Sequence, residues 1–268
     1  MHKHTVLVTG ATDGIGRATA IGLAQKGLRV VIHGRSLPKA ERASAEVAEA
    51  VPGAALETIA ADLASLAQVR ALADELGRRF PDLDVLVHNA GVFMNQRRLT
   101  EDGYETTFAV NHLAPFLLTN LLLDQLLPAR ARVVTVASIS HTRGRINFAD
   151  LHGSQAFTPY TAYAQSKLAN VLFAQELARR THGSGLTSNS LHPGAITTKL
   201  LQTGFNSTGD SVEQGAATSI HLASAPELDG VSGRYYSEMR EIAPAAQAND
   251  LEAQQRLWEV SCQLTGLN

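Results

Sequence analysis

The sequence contains a single cysteine, Cys262, so the chain can form no internal disulfide and no cysteine-based zinc site. Such a chain suits a reducing compartment, and the cytoplasm is the expected location. An excess of one charge is also missing: 23 Lys and Arg stand against 25 Asp and Glu, a formal net charge of -2. Without the basic surplus that meets a phosphate backbone, neither nucleic acid nor a membrane is expected as a partner. Long hydrophobic runs are lacking too. The most apolar stretch, Leu113 to Leu127, is interrupted by Pro115, Asn120 and Asp124 and is too short to span a bilayer, so a buried helix is expected there. At the start of the chain the strand-like run from Thr5 to Val8 leads straight into glycines, without the apolar core or cleavage site of a signal peptide. Repeats, low-complexity tracts and linker-like shifts of composition are absent, and the 268 residues read as one domain over 1–268. Ten histidines are present without metal-ligand spacing. His2 and His4 alternate on the approach to the first strand, the others are scattered, and no metal site is expected.

What the sequence does contain is alternation. Short aliphatic or β-branched runs, Val6 to Val8, Val30 to Ile32, Leu56 to Ala60, Val85 to Val87, Val133 to Val136 and Ser188 to Leu191, read as strands. Between them, Arg17 to Lys26, Lys39 to Ala50 and Leu66 to Phe80 carry apolar residues at mixed three and four spacings, as helices packing on a sheet do. Repeated βαβ units of this kind predict an α/β, doubly wound Rossmann-type fold with a parallel sheet flanked by helices. Ser140 to Pro159 and Leu201 to Ser211 read as loops, placed where such sheets bind ligands or simply in solvent.

The first strand runs into Thr9-Gly10-Ala11-Thr12-Asp13-Gly14-Ile15-Gly16 and then a helix. Glycines there allow a tight turn and let backbone N–H groups at the helix start approach a pyrophosphate, so Gly10, Thr12, Asp13, Gly14 and Ile15 are candidate dinucleotide contacts. Asp13 opposes an anionic ligand unless its carboxylate turns outward or caps the helix. At the end of the second strand, where an NAD-binding protein places an acidic residue on the ribose 2′-hydroxyl, the chain has Arg35 and Ser36, and no acidic residue follows before Glu41. A guanidinium pairs with a 2′-phosphate, so the expected cofactor is NADP(H). Further along, Tyr163 and Lys167 are four apart, which on a helix puts a phenol and an ammonium on one face. A fixed cation favours the phenolate and brings the proton towards the range of general acid/base catalysis. Tyr160, the competing phenol, has Ala164 four positions on and gains no such charge.

Together with Asp62-Leu63, Asn89-Ala90-Gly91, Asn111, Ser138 and His192-Pro193-Gly194, these motifs resemble the short-chain dehydrogenase/reductase family over nearly the whole chain, in family order. Val110 to Leu113, Gly144 to Phe148, Tyr163 to Asn170 and Leu257-Trp258-Glu259 resemble its retinol-dehydrogenase-like branch. That branch mostly uses NADP(H), and many of its eukaryotic members carry an N-terminal membrane anchor that this sequence lacks, which suggests a soluble relative of bacterial type. The resemblance implies a catalytic set of Asn111, Ser138, Tyr163 and Lys167. Tyr163 would exchange a proton with the substrate oxygen, Lys167 would lower the tyrosine pKa and bind the ribose, Ser138 would hold the oxygen, and Asn111 would anchor a water linking Lys167 to solvent. Ser140 is the register alternative to Ser138, which is favoured because it follows the strand end directly. Tyr163, Lys167, Asp62, Leu63, Asn89, Ala90 and Gly91 would also touch the cofactor. Pro193, Gly194, Ile196 and Thr198, with Thr197 as the alternative, would hold its nicotinamide end. His141 stands either at the substrate entrance or in solvent. The implied substrate is a small lipophilic carbonyl or alcohol, and pairing of two copies through Leu113 to Leu127 and Ala164 to Arg180 is an expectation of the same kind.

Overall fold

The computed structural model describes residues 4–267, so His2 lies outside the described part. All six expected strands form: β1 (Thr5–Val8), β2 (Arg29–Gly34), β3 (Leu56–Ala60), β4 (Leu83–His88), β5 (Arg132–Val136) and β6 (Thr187–His192). Helices α1 (Gly14–Gln25), α2 (Leu37–Ala50) and α3 (Leu66–Arg79) link the first four. The crossover from β4 to β5 holds α4 (Thr106–Phe108), a π turn (Ala109–Leu113), α5 (Ala114–Leu121) and α6 (Leu123–Leu126), and α7 (Pro159–Arg180) leads into β6. After it come α8 (Lys199–Phe205), α9 (Val212–Ser224), the short strands β7 (Tyr235–Ser237) and β8 (Arg240–Glu241), and α10 (Leu251–Thr265).

The central strands carry apolar residues on both faces because both faces of the sheet are covered. Val6 and Val8, Val30 and Ile32, Val85 and Val87, and Val134 and Val136 point into one core, while Leu7, Val31, Leu86 and Val133 point into the other. Strand order is β3-β2-β1-β4-β5-β6-β7-β8, parallel through β7, with β8 antiparallel at the edge. The chain winds outward from β1 to β3 and then returns to β4, so the crevice between the carboxyl ends of β1 and β4 is the switch point at which doubly wound sheets bind ligands.

Three expectations need correction. Leu201 to Ser211 is not wholly loop: Thr198 caps α8 by accepting from the Leu201 N–H at 3.2 Å, and the helix runs to Phe205 before Asn206 ends it in a left-handed conformation. The Leu113 to Leu127 helix is broken at Leu122, between α5 and α6, and is entered through a π turn: Pro115 has no N–H for the carbonyl of Asn111, and the Ala114 N–H reaches the Ala109 carbonyl. The hairpin of β7 and β8 was not foreseen at all; its two turn residues, Glu238 and Met239, both have left-handed φ without being glycine.

The last helix also bears on self-pairing. Trp258 on α10 stacks on Phe173 of α7 at 6.1 Å and meets Phe116 of α5 edge-on at 4.9 Å. Each such buried aromatic contributes about 2 kcal/mol. Part of the surface that α5 and α7 would offer to a second copy is thus covered by the chain's own C-terminal helix. Among the described residues, no helix is long and apolar enough to cross a membrane.

Candidate active site

The glycine-rich turn is built by close contact with the neighbouring strand ends. Gly10 has φ +63°, and a Cβ there would lie 2.9 Å from the Ala90 Cα; at Gly16 it would strike the Gly10 carbonyl at 2.3 Å. The turn is also tied down from three sides. Asn89 gives its side-chain N–H to the Thr9 carbonyl at 2.8 Å, and the Thr9 hydroxyl receives the Asn89 and Ala90 N–H groups at 3.0 Å each. From β2, His33 accepts the Gly10 N–H on Nδ1 at 3.2 Å, which leaves Nε2 to donate to the Ala61 carbonyl at 3.1 Å. Asp13 caps α1 by accepting the Gly14 N–H at 2.8 Å, and its other oxygen pairs with Lys199 at the start of α8. The lysine holds this carboxylate below its ordinary range and draws its charge away from the turn, so an acidic residue here is compatible with an anion at the helix start.

Thr12 lies under Gly34, and the exposed Arg35 and the half-buried Ser36 follow at the end of β2. Asp62 and Leu63 stand at the end of β3. One Asp62 oxygen takes the Ala64 N–H at 2.9 Å, and Leu63 is buried.

Towards β5 and β6 the crevice deepens into a cavity of about 320 Å³. Ile15, Asn89 and Gly91 line its cofactor side, Ser138, Tyr163 and Lys167 its floor, and Pro193, Gly194, Ile196 and Thr198 its far end. Thr197 turns away and bonds Gly209 through its hydroxyl at 2.8 Å, while Thr198 lines the cavity. Ser140 borders the cavity as well, and its N–H rests on the Ser138 hydroxyl at 3.2 Å.

Lys167 donates from Nζ to the Val136 carbonyl at 2.9 Å and lies 5.6 Å from the centre of the Tyr163 ring. Asn111 sits in the π turn with its side chain held by three bonds: it donates to the Val92 carbonyl at 3.0 Å and to Ser166 at 2.9 Å, and accepts the Val92 N–H at 2.8 Å. A side chain at Gly91 would approach both Asn111 Oδ1 and Lys167 Nζ at 3.4 Å. Gly91 therefore keeps a channel open between these two polar groups.

A model of the family described as short chain dehydrogenase matches residues 4–208. The chain belongs to the short-chain dehydrogenase/reductase family. Within it, the chain is 42% identical to retinol dehydrogenase 14 of Homo sapiens, with 100% of this chain and 88% of that protein covered, and it falls in the retinol-dehydrogenase-like branch. An uncharacterised protein of Mycobacterium paratuberculosis has a crystal structure similar to this one, with a TM-score of 0.83 at 35% identity over 98% of this chain and 93% of the other. A blue fluorescent protein from a metagenomic library, in complex with NADPH, gives a TM-score of 0.70 at 28% identity, covering 87% and 94%. An oxidoreductase acting on alcohol or carbonyl groups with a nicotinamide cofactor follows from this membership.

Within this dehydrogenase fold, burial governs the proton-transfer groups. It drives the Tyr163 phenol up to about 12, against a hydrogen bond from Ser138 that pulls it down, and pushes the Lys167 ammonium down to about 8. Desolvation thus outweighs the pull of Ser138, and the charge of Tyr160 adds to the rise, while the Lys167 ammonium gives its hydrogen bond to Val136 rather than to the phenol. His192, also against the cavity, is held neutral down to about 4 by burial and then by its cationic neighbours.

Sequence reasoning missed the residues that shape the rest of the cavity. Phe93 and Phe205 flank Tyr163 at centroid distances of 5.3 and 5.9 Å and meet each other at 5.3 Å. Ile139, Leu200 and Leu201 complete an apolar wall. No motif marks them, because their role is contact area rather than a particular functional group. His141 was placed at the entrance or in solvent; it is in neither position, being 1% exposed beneath the Ser138 turn.

Proposed function

We propose that the chain is an NADP(H)-dependent oxidoreductase interconverting a lipophilic aldehyde or ketone and its alcohol. The observation carrying this reading is the cavity itself: two hydroxyls, on Ser138 and Tyr163, converge at the floor of a space walled by Ile139, Leu200, Leu201 and Phe205. A single polar substrate oxygen would be held there while an apolar body fills the remainder.

The residues present fit a dinucleotide. The Ile15 amide at the start of α1 would hold the pyrophosphate next to Gly10, Thr12 and Gly14, with Asp13 turned towards Lys199. Arg35 and Ser36 would hold the 2′-phosphate. Asp62, Leu63, Asn89, Ala90 and Gly91 would flank the groove, and Pro193, Gly194, Ile196 and Thr198 would hold the nicotinamide end. The bound nicotinamide supplies a hydride to the carbonyl carbon, or accepts one from the alcohol carbon.

During reduction Tyr163 gives its phenolic proton to the substrate oxygen while Ser138 donates a hydrogen bond to it. During oxidation the tyrosine takes the alcohol proton. Lys167 stabilises the resulting phenolate and holds the ribose, and Asn111 anchors a water through which the proton leaves. Burial holds the phenol near 12, and a bound oxidised nicotinamide would add positive charge beside it to that of Lys167.

Purified protein mixed with NADPH and a panel of hydrophobic aldehydes, ketones and quinones is expected to consume the nicotinamide absorbance. Tight cofactor binding with no turnover on any member would instead favour an idle NADP-binding module. Arg35→Asp is expected to raise the NADPH Michaelis constant by about tenfold to a hundredfold through loss of a charge-assisted pair and added repulsion, with little change for NADH. Equal effects on the two cofactors would refute the 2′-phosphate role.

A further inference from the structure

We propose that His141 is a positioning residue for Ser138, tethering the catalytic turn to the C-terminal segment that crosses over it. The inference rests on the proposed role of Ser138 in holding the substrate oxygen. His141 is 1% exposed and does not line the cavity, so it cannot touch substrate. Its two ring nitrogens are both engaged. The Ala245 N–H donates to Nε2 at 3.0 Å, and a backbone amide can only donate, so Nε2 must carry the lone pair. The proton is therefore on Nδ1, which donates to the Ser138 carbonyl at 2.7 Å. One neutral tautomer satisfies both bonds, and no other protonation state does.

The ring is clamped as well as bonded. Tyr235 of β7 packs on it with centroids 4.7 Å apart. The segment supplying Ala245 is itself fixed to the same turn: Gln247 donates from Nε2 to the Gly144 carbonyl at 2.5 Å and reaches the carbonyls of His141 and Thr142 at 3.4 Å. From the other side, α10 holds that segment through Gln254, whose Nε2 donates to the Ala248 carbonyl at 2.8 Å. A strap from the far end of the chain thus closes over residues 138–144, and His141 is the bond between the strap and the serine backbone. Ser138 needs such a support. It lies two residues past β5 in extended conformation and its hydroxyl already accepts the Ser140 N–H, so a shift of its carbonyl would move the hydroxyl relative to Tyr163.

A buried histidine can be merely structural, and a double-mutant cycle separates the two roles. His141→Ala is expected to lower kcat on the best substrate of the panel by about tenfold to a hundredfold, a misplacement effect, with the NADPH dissociation constant unchanged. In a Ser138→Ala background the same substitution is expected to change kcat less than about twofold, because the group it positions is gone. His141→Asn, which can still donate to the Ser138 carbonyl, is expected to restore most of the activity. Exchange of the Ser140 amide provides a readout without turnover: it is expected to quicken about tenfold in His141→Ala and little in His141→Asn. Should His141→Ala fail to fold, the same cycle and exchange measurement run on Gln247→Ala, which loosens the strap from its other bond. An undiminished loss in the Ser138→Ala background, or unchanged Ser140 exchange, would overturn the tether. Full turnover by Ser138→Ala alone would instead remove the proposed role of the serine and leave the tether to be judged by exchange.

Discussion

Tyr163→Phe is expected to cut turnover by about three orders of magnitude while leaving fold and NADPH affinity in place. The substitution removes one oxygen from a side chain that is 5% exposed and keeps the ring, so its contacts with Phe93 and Phe205 survive. The Ser138 oxygen still accepts the Ser140 N–H, so the turn keeps its own bond. What disappears is the proton source at the cavity floor. The pH dependence should follow from the same groups. With the phenol near 12 and the Lys167 ammonium near 8, the reducing form, protonated tyrosine beside charged lysine, is complete below pH 8. Reduction should therefore hold level below that pH and fall as Lys167 loses its proton above it, by up to tenfold per pH unit if the charge is indispensable. A Tyr163→Phe variant keeping more than about a tenth of wild-type turnover would assign the proton to another group.

Several of these residues were legible because the chemistry demands particular residue types at particular ends of particular elements. The turn after β1, the strand ends carrying Asn89 and Ser138, and the i,i+4 pair on α7 all follow from periodicity and spacing. The parts that stayed hidden have physical reasons of their own. The hairpin from β7 to β8 carries Glu238-Met239 where such turns usually announce themselves with Asn-Gly, so no local signal exists. Helix α8 was hidden by Gly204 and Asn206 at its end, which read as loop residues until the caps at Thr198 and Asn206 are seen. The π turn is legible only in retrospect, from Pro115 four residues after Asn111. His141 could not have been placed from sequence, since its partner Ala245 is 104 positions away and contributes only a backbone amide. Spacing shows what lies on one element; it does not show which distant backbone closes over it.

Mild acid is expected to unfold the protein steeply, starting well above the range where carboxylates titrate. Burial holds His33 neutral down to about 4, and His88 and His112 down to about 3, against an ordinary value of 6.5. Above 6.5 these rings are neutral in both folded and unfolded chains and contribute no pH dependence. Between 6.5 and the folded values only the unfolded chain binds the protons, so stability falls as pH falls. Each ring contributes about 1.4 kcal/mol per pH unit, and the three together about 4. Two units of acidification would then remove about 8 kcal/mol, comparable with the whole stability of an ordinary domain. Asp84, whose carboxyl is raised by burial, acts in the opposite sense but is a single group against three. Denaturant midpoints measured from pH 7 to 5 should show this slope. His88→Leu, which removes one ring bonded to Thr119, should flatten it by about a third even where it lowers stability at pH 7. A midpoint that stays constant over that range would rule the argument out. Cofactor affinity should fall over the lower part of the same interval, for a local reason. Protonating His33 puts an N–H on Nδ1, where it faces the Gly10 N–H it now accepts, and two donors cannot share that contact. The turn proposed to hold the pyrophosphate would be released from β2 at the point where the fold weakens, so acid would loosen the cofactor before the last of the sheet is lost.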